Sequence, residues 1–200
     1  MPLASAATST DGALYTWITE LAQRSPTALD SAVRVWSDYG LLLFAALMLA
    51  SWWRSRSGDP ARTAMALCAP LVVVAAYLAN DLVKSVFHEQ RPCRTLHVVT
   101  VEACPALGDW SFPSNHAAIA AAAATAIWLT DRRLGAIAVP AAVLMAASRV
   151  WIGVHYPHDV LIGLVTGALV AWLLTAAARR CAPAVVRLRG TPLRPLVATR

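Results

Sequence analysis

The sequence predicts an all-α, integral membrane helical bundle, with about five transmembrane helices preceded by one or two amphipathic interfacial helices. Three observations carry that prediction. Apolar residues are 58% of the 200-residue chain and charged ones 14%, with a mean hydropathy of +0.55. A water-soluble domain carries about a quarter charged residues. Uncharged runs cover Tyr39–Trp53, Thr63–Asn80, Ala117–Thr130, Leu134–Ser148 and Val160–Ala178. The basic residues behind the net charge of +6 sit between and after those runs. That placement suits membrane orientation rather than nucleic-acid binding, so no nucleic-acid partner is expected.

Residues 1–38 form an N-terminal segment. Within it Leu14, Trp17, Ile18 and Leu21 recur at helical spacing, and Leu29, Val33 and Trp36 continue it after Pro26. This pattern reads as amphipathic helix lying at the membrane surface, with a packing helix as the alternative. No basic stretch followed by an apolar core opens the chain, so no secretory signal is expected. Residues 39–180 hold the spans. A spanning helix needs about 20 largely apolar residues. The last run meets this alone, the second by extending to Lys84, and the fourth by extending past Arg149 to Val154. The first and third are short and need their flanks. A long polar loop joins Glu89 to Ser111. Residues 181–200, with three prolines and four arginines, read as a flexible, solvated basic tail.

With five spans, the turns after the first and third and the C-terminal end share one side of the membrane, which then holds 11 of the 17 basic residues. The positive-inside rule puts that side in the cytoplasm and the opposite rim outside.

The polar residues on the opposite rim form three blocks. The first is Lys84, the chain's only lysine, followed after six residues by Arg91-Pro92. The second is Phe112-Pro113-Ser114-Asn115-His116. The third is Ser148-Arg149, then His155 and Asp159. Ionisable residues at span ends are costly and point to function. Ser114 stands where it can cap the third span, whose free N–H groups would attract an anion. Asp159 lies in the first turn after Pro157 and can reach back to His155. Fixed cations, two histidines and a carboxylate suit phosphoryl transfer without a metal. The cations would spread transition-state charge, His155 would attack phosphorus, Asp159 would orient it, and His116 would protonate the leaving oxygen.

The spacings KxxxxxxRP and SRxxxxxHxxxD, with PSNH between them, resemble the signature of the type-2 phosphatidic acid phosphatase family. Asn115 stands where that family commonly has glycine. The resemblance implies a membrane lipid phosphatase working through a phosphohistidine. It makes His155 the nucleophile, Asp159 its partner and His116 the acid, with Lys84, Arg91, Ser114, Arg149 and the Asn115 backbone holding phosphate. No cofactor is implied. A polyprenyl diphosphate is the expected substrate, ahead of phosphatidylglycerophosphate, phosphatidic acid and a polyprenyl-phosphosugar phosphate. A non-catalytic lipid-binding or transport protein is the rival of another class. Retention of both histidines and Asp159 speaks against it, because binding alone needs only the cations.

The same residues admit simpler readings. A lone lysine or arginine at a span end snorkels to the headgroups; it is the matched spacing of the set that argues otherwise. His155, His158 and Asp159 lack a metal-ligand spacing, so no metal is expected and His158 reads as a rim residue. Cys93 and Cys104 lie in the long loop and would form a disulfide in an oxidising compartment; two free thiols is the alternative. Nothing in the sequence speaks to oligomeric state.

Overall fold

The computed structural model describes residues 10–198, and every regular element in it is helical. The α-helices in order are α1 (Thr10–Gln23), α2 (Thr27–Tyr39), α3 (Leu41–Ser55), α4 (Pro60–Val86), the short α5 (Pro92–Thr95), α6 (Asn115–Thr130), α7 (Arg132–Trp151), α8 (Pro157–Ala178) and α9 (Ala182–Leu188), with 3-10 turns at Arg179–Cys181 and Arg194–Leu196. Residues 1–9 of the N-terminal segment and 199–200 of the tail lie outside the described residues.

Helix α6 is the centre of the bundle. Its sequence is alanine-rich on every side, and Ala117, Ala118, Ala120–Ala124 and Ala126 are all buried. A helix enclosed by neighbours needs no polar face, and small side chains let backbones approach closely. Helices α8, α7, α4 and α3 surround it. The closest approach is to α8, where Gly163 and Gly167 form a GxxxG pair. A β-carbon on Gly163 would lie 2.5 Å from the Ser114 carbonyl oxygen, and one on Gly167 would lie 2.1 Å from that of Ala118.

The outward faces are apolar. Leu71, Leu82, Val165 and Leu161 are each more than half exposed, which in a membrane protein is contact with lipid. Among the described residues, three helices are long and apolar enough to cross a membrane: Pro60–Val86, Arg132–Trp151 and the helical stretch Pro157–Leu188. The pair α2 and α3, bent by 51°, passes the same test only when taken together, as a broken span or a re-entrant loop. The third expected span, α6, is a helix in the bundle, but its 16 residues reach only about 24 Å.

Two expectations for the ends of the chain need revision. Helix α2, expected to lie on the membrane surface, leads directly into the short first apolar run through the bend at Gly40 and supplies the flank that run needs. Gly40 sits there because a β-carbon would strike the Trp36 carbonyl oxygen at 2.4 Å and the Met145 side chain at 2.7 Å. The segment 181–200, expected as a solvated tail, is helical over Ala182–Leu188. Val185 and Val197 bury themselves against Ala64 at the start of α4. The apolar residues of this segment are broken up by arginines, Gly190 and three prolines, too short a pattern to announce a helix.

Helix α1 lies across one end of the bundle. Tyr15, Thr19 and Ala22 face inward and are buried, while Leu14, Trp17 and Leu21 remain exposed. The helix therefore packs on protein through one face and presents an apolar stripe on another.

The α6–α8 contact is the tightest in the fold. Gly167→Ala should lower stability by about 1–3 kcal/mol, measured as unfolding in detergent. Gly190→Ala, where the nearest atom to the new carbon is 3.5 Å away, should be close to neutral.

Candidate active site

The three polar blocks meet at one end of the bundle: the C-terminal ends of α4 and α7 and the N-terminal ends of α6 and α8. Local sequence explains each placement. Pro157 begins α8 with a residue that needs no N–H partner, and the Asp159 carboxylate accepts from the Tyr156 backbone N–H at 2.8 Å, closing the helix start. Gly153, at φ +90°, makes the turn that ends α7; Val154 N–H donates to the Arg149 carbonyl at 3.2 Å. Only three residues separate Gly153 from Pro157, so Arg149 and His155 share the rim.

His155 is almost completely buried, with Nδ1 3.2 Å from Asp159 Oδ2. An ionised carboxylate only accepts, so Nδ1 carries the proton and Nε2 holds the lone pair. Nε2 lies 3.3 Å from Arg91 Nη1. Asp159 is fully buried; its Oδ2 also accepts from Ser111 Oγ, and its backbone carbonyl accepts from Ser114 N–H at 3.0 Å.

Arg91 is buried and spread over several acceptors. Nε donates to the Asp109 carbonyl at 2.9 Å, Nη2 to Asp109 Oδ1 at 2.9 Å, and Nη1 to the Val154 carbonyl at 2.8 Å. Burial pushes the Asp109 carboxyl up, but its bond to Arg91 and that cation's charge outweigh burial and hold it below the usual carboxylate range. Lys84 Nζ donates to the Trp110 carbonyl at 3.0 Å. Arg149 Nη1 donates to Ser37 Oγ at 2.6 Å, while its buried Nε has no partner. His116, in the first turn of α6, lies within electrostatic reach of Arg149, His155, Lys84 and Arg91. All eight residues singled out by spacing thus come to one rim.

Ser114 occupies the N-cap position, but its side chain makes no capping bond. Its Oγ is buried without a partner. The first paired N–H of the helix is that of Ala118, to the Ser114 carbonyl. Asn115 turns its side chain away from the helix end: its Oδ1 accepts from Asn80 Nδ2 at 2.7 Å, and its Nδ2 donates to Asp81 Oδ1 at 3.3 Å. The residue that replaces glycine therefore ties the start of α6 to the end of α4. Buried polar atoms rarely lack partners; here Arg149 Nε and Ser114 Oγ are donors, alongside the N–H groups of the α6 first turn. Such a set can hold an anion.

The sequence concealed several contributors. His158, read as a rim residue, joins three segments: Nδ1 lies 2.8 Å from Asp11 Oδ2 on α1, and Nε2 lies 3.1 Å from Glu89 Oε2 and 3.3 Å from Asp159 Oδ1. Glu89, His158 and Asp159 offer ligand atoms within 4.8 Å of one another. Each ring nitrogen of His158 faces a carboxylate, the pattern of an imidazolium donating from both sides. Asp109, Ser111 and Ser37 were missed as well. Cys93 and Cys104 are joined in a disulfide that closes the loop between Arg91 and Asp109.

With this geometry in view, the family model for the PAP2 superfamily matches residues 65–182. The chain belongs to the PAP2 superfamily. It is 32% identical over 149 residues to the undecaprenyl-diphosphatase BcrC of Bacillus subtilis, covering 74% of each chain. It is 38% identical over 96 residues to the decaprenylphosphoryl-5-phosphoribose phosphatase of Mycobacterium tuberculosis, covering 48% of this chain and 51% of that protein. Its fold is similar to the crystal structure of a transmembrane PAP2-type phosphatidylglycerolphosphate phosphatase from Bacillus subtilis. The TM-score is 0.58 at 22% identity, over 88% of this chain and 89% of that one. The PAP2 match, the apolar helices and that shared fold make this protein a multi-pass membrane phosphatase.

Burial lowers the His155 imidazole to about 4, and the hydrogen bond and charge of Asp159 offset this only in part. An unfolded histidine titrates near 6.5. Between those values the unfolded chain holds the extra proton, so stability is undiminished above about 6.5 and falls as pH drops toward 4. The melting temperature of the empty protein in detergent should decline over that window, with a shallower slope in His155→Gln.

Proposed function

We propose that this protein removes the terminal phosphate of a polyprenyl diphosphate without a metal, leaving the monophosphate lipid at the extracytoplasmic face of the membrane. The observation carrying the reading is the Asp159–His155–Arg91 line, in which a buried imidazole is oriented at Nδ1 and presents Nε2 beside a guanidinium.

The chemistry follows from those atoms. His155 Nε2 attacks the terminal phosphorus as the bond to the bridging oxygen breaks. His116 gives its proton to that oxygen, and the lipid monophosphate leaves. Lys84, Arg91 and Arg149, with Ser114 and the N–H groups of the α6 first turn including that of Asn115, take the charge on the non-bridging oxygens. Asp159 keeps the proton on Nδ1 and stabilises the charge that Nε2 phosphorylation places on the ring. Water, deprotonated by the now neutral His116, then cleaves the phosphorus–nitrogen bond and frees inorganic phosphate.

Substrate choice is supported by the 32% identity to the undecaprenyl-diphosphatase BcrC of Bacillus subtilis. A polyprenyl-phosphosugar phosphate is the second reading, favoured by the 38% identity to the phosphoribose phosphatase. The outward side is supported by the arginine bias to the other end, and by a disulfide in the loop beside the site.

A lipid panel in detergent tests the activity. Phosphate release should be fastest from polyprenyl diphosphate, persist in chelator and be blocked by vanadate. His155→Ala should lower kcat by at least about a thousandfold. Full activity in that variant, or dependence on an added divalent metal, would overturn the mechanism. For the side of the membrane, an impermeant thiol reagent should label Cys93 or Cys104 on intact cells only after reduction.

A further inference from the structure

At the end of the bundle opposite the site, a cavity of about 670 Å³ opens where all five bundle helices begin or end. Its volume is in the range of small-molecule and headgroup sites. Arg54 comes from the last turn of α3, Arg62 from the first of α4, Arg132 and Arg133 from the first of α7, and Arg179 from just beyond α8. Trp128, near the end of α6, lines the wall, with the Arg132 guanidinium 5.4 Å from its ring centroid.

The one acid lining this cavity, Asp131, is fully engaged. Its Oδ2 accepts from Arg54 Nε at 2.6 Å, and its Oδ1 accepts the Arg133 and Leu134 backbone N–H groups at the start of α7. Among the described residues, Arg62, Arg133 and Arg179 have no acidic partner. Three like charges converging on one concavity repel, and an anion seated among them would relieve that repulsion.

We infer that this cavity is a second, non-catalytic site for a phosphate-bearing headgroup, that of an anionic phospholipid in the leaflet opposite the catalytic one. Depth argues for lipid. The cavity lies at the ends of the spans, at the level where Trp128 and the neighbouring Trp52 and Trp53 suit the membrane interface. Basic pockets between transmembrane helices on the arginine-rich side recognise such headgroups. Free phosphate or diphosphate offers the same chemistry without the tails.

The test is native mass spectrometry of the full chain in neutral detergent, with phosphatidylglycerol and phosphatidylcholine as probes. The protein should retain phosphatidylglycerol in preference. Arg62→Ala/Arg133→Ala/Arg179→Ala should lower that retention at least about tenfold. A charge-matched control, Arg180→Ala/Arg187→Ala/Arg194→Ala, uses exposed residues outside the cavity and should retain the lipid. The single change Arg133→Gln should act in the same direction as the triple variant with little risk to folding. Lipid phosphate hydrolysis should be unchanged in all three, so the catalytic reading stands or falls separately. Equal retention in wild type and triple variant, or equal loss in the control, overturns the site. Displacement of the lipid by inorganic diphosphate at equal concentration overturns the lipid assignment in favour of a soluble anion.

Discussion

A single buried carboxylate holds the catalytic end of this molecule together. Asp159 Oδ2 accepts from the His155 ring, from the Tyr156 backbone and from Ser111, while its own carbonyl takes the Ser114 N–H. One residue therefore fastens the start of α8 to the start of α6 and to the end of the long loop. An unpaired charge in such surroundings would cost several kcal/mol. The bonds it collects offset that cost, and the same bonds hold the imidazole in one tautomer. Fold and proposed chemistry share a cause here: the group that organises the rim also orients the nucleophile.

The cations nearby are held differently. Lys84 rests on a carbonyl, Arg149 on a hydroxyl, and Arg91 on two carbonyls and one carboxylate. Neutral acceptors satisfy donor geometry without cancelling charge, so the rim stays positive where a phosphate dianion would lie. Carboxylate partners for all three would have made a poorer anion site. The His158 clamp, with Asp11 and Glu89, sits one layer further out and draws α1 and the loop onto this end. Tyr15 adds to it by donating to the Gly153 carbonyl at 2.8 Å. The terminal helix is thus part of the frame around the site.

Much of this was legible in the chain. Apolar runs gave the bundle helices because a bilayer imposes length and exclusion of charge, and the three blocks stood out because span ends rarely carry such residues. The remainder turned on contacts with no periodic signature. Ser111 and Asp109 look like ordinary loop residues until the disulfide-closed loop brings them back to Asp159 and Arg91. Asp11 meets His158 across 147 positions. The bend at Gly40 reflects crowding by Met145, a residue more than a hundred positions away. At the C-terminal end, Val185 and Val197 find a partner in Ala64 that no local pattern names.

The shortness of α6 bears on how the protein enters its membrane. At about 24 Å it falls below the roughly 30 Å of a hydrocarbon core, and its alanines offer lipid little in return. Its stay in the bilayer rests on neighbours, above all on α8, whose glycines let the two backbones touch. Helix α8 is synthesised after α6, so the ribosome must deliver nearly the whole polypeptide before the helix bearing His116 has a settled place. Truncated chains ending before Gly163 would leave that helix for the quality-control proteases.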